Sequence, residues 1–543
     1  MVKKEFDTKK GYLHIPVRSG EPESSKYIEV EIDGVCKNEF LIGISAPGEP
    51  FDFYAALDMK RYNSEKIALI CRDESASDML FEGIIEGGCI QSEPTLYPNL
   101  YKEELRQRIH FSPARGWLND PNGLFFKDGV FHMYFQHNPF ANHHQTTNVS
   151  WGHATTTDGV HFKEHGDAIM PRNSRLHIAS GSALVDKHNI SGMGENTVLA
   201  AYTDLTSAQY HGRPMVTTGV AQNLLFSTDN GMTYQYFKNN PIIQVPDGEV
   251  WRDPKILQLD EKNLCIAVYE TYHNQNCVSF YQSTDCIDWT LCSRSMDLYE
   301  CPDLFSLHVV ETGELLWVLY GADGKYGVGN FENFEFKAIE SAGYLDYGDC
   351  VYAGQTFNNY DDPYIRKHLA WMVDKEWPWG CKQEEGPFNG VGFSQSMSLM
   401  CDLSLHKTNK GYRLFRTPID NVETLRDNGE EIQFESEIHL PVPGELVFDL
   451  DSGKNASVYI GGAGFQYDAQ SGIITTTSEK KYEFSPEKKF TVRIISDTRS
   501  AEMFVGREIS MSFFAKPQQD ALVIQGGGCV RAMVYKLKSI WES

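Results

Sequence analysis

Short apolar or alternating runs recur along the whole chain, and stretches with helical periodicity are scarce. Runs such as 130–135, 264–269 and 315–320 are rich in aliphatic and aromatic residues and are bounded by Gly, Asp, Asn and Pro. Each reads as a strand, because such residues fit a pleated, half-buried surface and such flanks turn the chain. The pattern predicts an all-β protein. A weak internal repeat runs through it. Thr156-Thr157-Asp158-Gly159 leads to Phe162, Ser227-Thr228-Asp229-Asn230-Gly231 to Tyr234, and Ser283-Thr284-Asp285 to Trp289. Each follows a strand-like run and reads as a tight turn before an edge aromatic. Units of about 40 to 70 residues made of several strands point to propeller blades. A sandwich with several similar hairpin turns is the other reading of the same pattern.

Residues 1–105 look separate. They hold short strands at 27–32 and 66–70 and end in a polar connector, Lys102 to Arg106, with helical character. From about residue 420 the alternation is again that of a sandwich, as at 490–495, and Lys407 to Gly411 is a polar turn near the boundary.

Composition narrows the function. The chain has 543 residues and a formal net charge of −25. That balance argues against a nucleic-acid partner, which needs clustered cations, and against an anionic membrane surface. No stretch approaches the roughly 18 apolar residues of a membrane span. The start, Met1 to Asp7, is charged with no apolar run behind it, so no signal peptide is read. Twelve cysteines are scattered without a Cys-x-x-Cys pair, which favours free buried thiols. A cytoplasmic location follows; a signal removed from the N-terminus would make the protein secreted instead. The histidines, His143 and His144 included, show no metal-ligand spacing, and neither a metal nor a cofactor is expected.

Three acid-bearing segments carry the chemistry. Trp117-Leu118-Asn119-Asp120-Pro121-Asn122-Gly123 sets a carboxylate between two amides, with an aromatic residue ahead of them. Taken alone it is as readily a turn. Trp251-Arg252-Asp253-Pro254 and Glu300-Cys301-Pro302-Asp303 also place an acid near a proline among strand-like sequence. Acids that converge at the rim of one fold are the machinery of glycoside hydrolysis. The plain alternatives are a turn at Asp120, a structural ion pair at Arg252–Asp253 and a solvated strand end at Glu300. Cys301 reads as a small buried hydrophobe.

These segments, with Phe135-Gln136-His137-Asn138-Pro139, Trp151-Gly152-His153-Ala154, Ser180-Gly181-Ser182-Ala183, Tyr352-Ala353-Gly354-Gln355-Thr356-Phe357 and Trp371, resemble glycoside hydrolase family 32, the β-fructofuranosidases. The similarity covers about residues 106–543, and residues 1–105 look like the small β-domain that precedes the propeller in some bacterial members. The resemblance implies a five-bladed β-propeller at 106–415, a C-terminal β-sandwich at 416–543 and a small N-terminal β-domain at 1–105. It makes Asp120 the nucleophile, Glu300 the general acid/base and Asp253 a transition-state stabiliser. Asn119, Gln136, Ser180, Arg252 and Tyr352 would bind substrate, and Trp371 would form an apolar wall or simply belong to the core. The substrate would be a small or oligomeric β-fructoside, with no nucleic-acid or membrane partner and with a homo-oligomer open.

The chain departs from the family at several places. The loop 140–148 lacks the usual tryptophan, Ala179 stands where Phe is frequent, Cys350 replaces an Asp, and Leu399-Met400-Cys401-Asp402-Leu403 replaces Leu-Pro-Arg-Glu-Leu. Loss of aromatic bulk beside intact acids predicts a reshaped pocket and a preference for fructo-oligosaccharides or other β-fructosides over plain sucrose. A fructosyltransferase sharing the intermediate, a non-catalytic sugar binder, and an inverting arabinan-active propeller enzyme are the competing readings.

Overall fold

The computed structural model describes residues 1–18, 25–144, 148–171, 177–207, 217–246, 249, 251–296, 298–377, 391–433, 437–529 and 531–541. Among these the regular elements are strands and short 3-10 turns, with no α-helix. The expected strands form at Lys26–Ile32, Lys66–Cys71, Val130–Asn138, Leu264–Tyr272, Leu315–Tyr320 and Lys489–Ser496.

The first 87 residues make a four-stranded and a three-stranded sheet. Side chains that alternate in and out, as in Phe53–Asp58, leave one face of each sheet to be covered. Leu13, Ile15, Val30, Ala55 and Leu69 fill the space between them, together with Phe140 and Met170 from the next region. Phe140 stacks on Phe40 with 4.3 Å between ring centroids. Asn148 accepts from the Leu41 amide at 2.9 Å and donates to the Leu41 carbonyl at 2.6 Å. The N-terminal sheets therefore hold the 140–148 loop; residues 145–147 of that loop lie outside the described residues.

Five sheets follow between Gly116 and Pro418, counted among the described residues. Their first strands are Gly116–Lys127, Ile178–Asp186, Arg252–Gln258, Asp303–His308 and Val351–Thr356. Each touches the next and the last touches the first, so they close a ring. Phe393–Ser394 returns to pair in parallel with Gly116 and Trp117. The repeated Ser/Thr–Asp motif is one device used three times. Thr156, Ser227 and Ser283 end the third strand of successive sheets, and each hydroxyl meets the Asp two residues on, at 2.9, 2.7 and 3.1 Å. The same hydroxyl then accepts the amide of Gly159, Gly231 or Cys286, closing the turn into the next strand.

Two six-stranded sheets built from Arg426 to Leu537 enclose the largest apolar cluster, including Leu446, Phe448, Val458, Phe465, Ile494 and Met503. Each such side chain taken fully out of water contributes about 1.5–3 kcal/mol.

Three local expectations change. Residues 102–106 are turns rather than helix: Arg106 is fully buried, bonds Ser112 and the Pro113 carbonyl, and lies 3.4 Å above the Phe393 ring, which fixes the chain as an anchor. Asp120-Pro121-Asn122-Gly123 is not a turn but part of a twelve-residue strand with two bulges. Gly123, at φ +55°, is required there because a Cβ would meet the Tyr134 ring at 2.7 Å. Finally, the polar turn at 407–411 joins Cys401–Thr408 to Gly411–Pro418 inside the fifth ring sheet, so that sheet runs past residue 415.

Candidate active site

The inner strands of the ring open at one end in the same way. Register shifts fall between Leu118 and Pro121, Ile178 and Gly181, Arg252 and Lys255, and Tyr352 and Gln355. A bulge leaves residues unpaired and re-aims their side chains. The residues so released are Asn119 and Asp120, Ala179 and Ser180, Asp253 and Pro254, and Ala353 and Gly354. The remaining inner strand has no bulge, but Glu300 and Cys301 precede it with φ of +47° and +39°. Asp253 and Ala353 are also left-handed, at +61° and +51°. Such backbone costs about 1–2 kcal/mol per non-glycine residue, so the surrounding sheets must hold it in place.

The three acids meet at this end. Ser180 Oγ donates to Asp120 Oδ2 at 2.6 Å, and the Cys301 thiol lies 3.7 Å from the same oxygen. The Cys301 amide donates to Asp253 Oδ2 at 3.1 Å. Arg252 stands 3.7 Å from Asp253 Oδ2 and bonds Glu300 Oε1, while the Tyr352 hydroxyl donates to Glu300 Oε2. One residue, Cys301, thus touches the two aspartates, and one guanidinium spans Asp253 and Glu300.

Burial, opposed by the Ser180 bond and reinforced by the charges of Asp253 and Glu300, lifts Asp120 to about 7. Asp253 rises to about 6, again chiefly through burial, although Arg252 pulls it down. Burial and the neighbouring acids hold the Cys301 thiol far above its usual range, so it stays neutral among them.

The other expected residues fall around this core. Trp117 and Trp371 are buried and meet edge to face at 6.3 Å, and Trp371 meets Tyr352 likewise at 6.2 Å. The Trp371 indole N–H donates to Gln395 at 3.1 Å, so this residue belongs to the core. Asn119 Oδ1 is buried without a hydrogen-bond partner, a group a ligand would satisfy. Gln136 is nearby but its amide nitrogen is committed to the Ile178 carbonyl at 3.0 Å. The loop that lacks a tryptophan puts His144 edge-on to Trp117, at 4.9 Å. Sequence reasoning gave no role to Cys301 and overlooked Asn122, whose Oδ1 accepts the Gly181 amide at 3.1 Å and ties the first two inner strands together. Their places inside the acid motifs were the available signal. Among the described residues no group of three His, Cys, Asp or Glu is set to hold a metal ion, and no helix is long and apolar enough to cross a membrane.

The chain is similar to known proteins in sequence and in fold. Residues 110–418 match the glycosyl hydrolases family 32 N-terminal domain. An invertase of Wickerhamomyces anomalus is 30% identical, over 76% of this chain and 80% of that protein. A levanase of Bacillus sp. (strain L7) is 27% identical over 82% of this chain, which spans only 54% of that longer protein. In fold, the chain superposes on an exo-inulinase from Aspergillus awamori with a TM-score of 0.69 at 20% identity, covering 81% of this chain and 100% of that one. A Schwanniomyces occidentalis fructofuranosidase variant complexed with fructosylnystose gives 0.66 at 21% identity, over 81% and 99%. The fold is thus a β-propeller with a β-sandwich, and the chain belongs to glycoside hydrolase family 32, the β-fructofuranosidase family of enzymes.

Proposed function

We propose that this protein hydrolyses β-fructofuranosidic bonds with retention of configuration, and that its ring of five sheets is a five-bladed propeller. The blades would run from about residue 106 to Pro418, between the N-terminal β-domain and the C-terminal sandwich. The observation that carries the reading is the convergence of Asp120, Asp253 and Glu300 at one end of the ring, linked through Cys301 and Arg252.

Asp120 attacks C2 of the fructosyl unit while Glu300 protonates the departing oxygen. Glu300 then takes a proton from water, and the resulting hydroxide opens the fructosyl ester. Asp253 accepts hydrogen bonds from sugar hydroxyls, which tighten in the transition state. Like charge on Glu300 helps to raise Asp120, so a proton on Glu300 lowers Asp120 and favours its ionised state. The chemistry needs one carboxyl protonated as the acid and another ionised as the nucleophile. Asn119 and Ser180 bind the fructosyl unit in this reading, with Trp117 and Trp371 as its apolar wall.

The substrate would be sucrose or a fructo-oligosaccharide, with the oligosaccharide preferred. Product analysis on sucrose, kestose, inulin and levan tests this. Fructose release from at least one is required, and NMR of the first-formed anomer must show retention. Longer products at high substrate concentration would instead identify a fructosyltransferase.

A further inference from the structure

We infer that Tyr299 is the platform for the sugar on the leaving-group side of the scissile bond, an inference that rests on the β-fructosidase reading above. Tyr299 is a large aromatic residue left 40% exposed at the edge of an otherwise enclosed acid cluster. It immediately precedes Glu300, and the two share one anchor: the Ala322 amide lies 2.9 Å from the Tyr299 carbonyl and 3.0 Å from that of Glu300.

The ring is braced from one side. It meets the buried Tyr269 edge to face, with 5.6 Å between centroids and 75° between planes. Tyr269 is itself fixed, its hydroxyl donating to Asn276 at 2.8 Å and the Arg252 guanidinium lying 4.8 Å from its ring. That guanidinium also holds Glu300. Tyr299 is therefore tied to the proton donor both along the chain and through Tyr269 and Arg252. Burial and then the Glu300 charge raise its phenol.

Direction completes the argument. Ser180 bonds Asp120 and Trp117 stands three residues before it on the same strand, on the side where the fructosyl unit is captured. Glu300 gives its proton to the oxygen that leaves, so the departing sugar sits on the Glu300 side, where the partly exposed Tyr299 adjoins that residue in the chain. Exposed aromatic surface beside a polar cleft marks a binding site, and the apolar C–H face of a sugar ring is suited to it. In the second half of the reaction the same face would receive an acceptor sugar that competes with water.

Kinetics of Tyr299→Ala, Tyr299→Phe and Tyr299→Trp on sucrose, kestose and methyl β-fructofuranoside test this, the last having no sugar to stack. For Tyr299→Ala, kcat/KM should fall about tenfold on sucrose and kestose, mainly through KM, and stay within about twofold on the methyl glycoside. Tyr299→Phe and Tyr299→Trp should keep most activity on all three, and Tyr299→Ala should lower any transfer product relative to free fructose. Equal loss on all three substrates with a shifted pH profile would mean that the ring merely braces Glu300, and would overturn the inference. Unchanged kinetics on sucrose and kestose would overturn it too. A wild-type enzyme that releases fructose from none of the three would sink the β-fructosidase reading first, and this inference with it.

Discussion

At the junction of the ring with the C-terminal sandwich, Asp346, Asp497 and Glu502 are buried together with His110 and Arg416; at the open end of the same ring, Asp120, Asp253 and Glu300 gather around Arg252. The junction is almost fully matched. His110 contacts Asp497 at 2.8 Å and Glu502 at 3.0 Å, Arg416 reaches Glu502 at 3.1 Å and Asp346 at 3.4 Å, and the Leu399 amide donates to Glu502 at 2.9 Å. Burial alone would push Glu502 up, yet Arg416 and His110 outweigh it and hold the carboxyl at about 2. His110 responds in the other direction, to about 9, because its two carboxylates outweigh its burial. At the open end burial wins instead, and Asp120 and Asp253 rise. The contrast is one of supply: three acids with two cations make a joint, and three acids with one cation leave Asp120 and Asp253 raised.

The widest separation of the two clusters is expected from removing one acid in each. Asp120→Asn and Glu300→Gln should each lower fructose release by about 10³-fold or more, since one removes the proposed nucleophile and the other the proposed proton donor. Thermal stability of Asp120→Asn should equal or exceed that of the wild type, because a buried, poorly compensated charge is lost. Near-normal activity, or a steep fall in Tm, would place Asp120 in the structural class instead. Glu502→Gln should do the reverse. It strands His110 and Arg416 in a buried site and should cost about 3–5 kcal/mol of stability, while activity per folded molecule stays within about twofold. Urea unfolding beside active-site titration reads both quantities.

Stability against pH sharpens the comparison further. His110 has a raised folded pKa, so its contribution is full below its ordinary 6.5 and is lost as pH climbs through about 9. Glu502 has a depressed one, so its contribution is full above 4.5 and is lost as pH falls through about 2. Asp120 is an acid raised from 3.8 to about 7, so its neutral form is the favoured one and ionisation erodes stability across that interval. The Tm of Asp120→Asn minus that of the wild type should therefore grow from pH 4 to pH 7, a range in which Glu502 stays charged. A difference that does not vary with pH would remove the buried-charge account.

How much of this could be read from the sequence follows the range of the interactions. Strand runs were legible because alternation and composition act locally, as at Leu315–Tyr320. The Ser/Thr–Asp turn was legible for the same reason, its hydroxyl reaching only a few residues ahead. The acid motifs were visible as residue types, but the bulges that aim them were not: Asp120-Pro121 looks like a turn until Pro121 is seen paired with Phe135. The junction was wholly hidden. His110 and Asp497 are 387 positions apart, and no local pattern marks either. Arg106 misled in a similar way, since a charged residue in a polar stretch gives no sign that it will be buried beneath Phe393.

The smallest expected effect probes the stronger of the two side-chain bonds that favour ionised Asp120 against its burial, the other coming from Cys301. Ser180 donates to Asp120 Oδ2 and lowers its pKa, opposing desolvation. Ser180→Ala removes that donor, so the carboxylate is less favoured and the acid limb of kcat/KM moves to higher pH. Well below the limb, activity should fall by about an order of magnitude, in line with a hydrogen bond to a charged group. On the alkaline side Asp120 is ionised in both proteins, so the loss there should be smaller than on the acid side. A uniform drop at every pH would mean that Ser180 serves the sugar alone and leaves the nucleophile's charge to Asp253, Glu300 and the depth of the site.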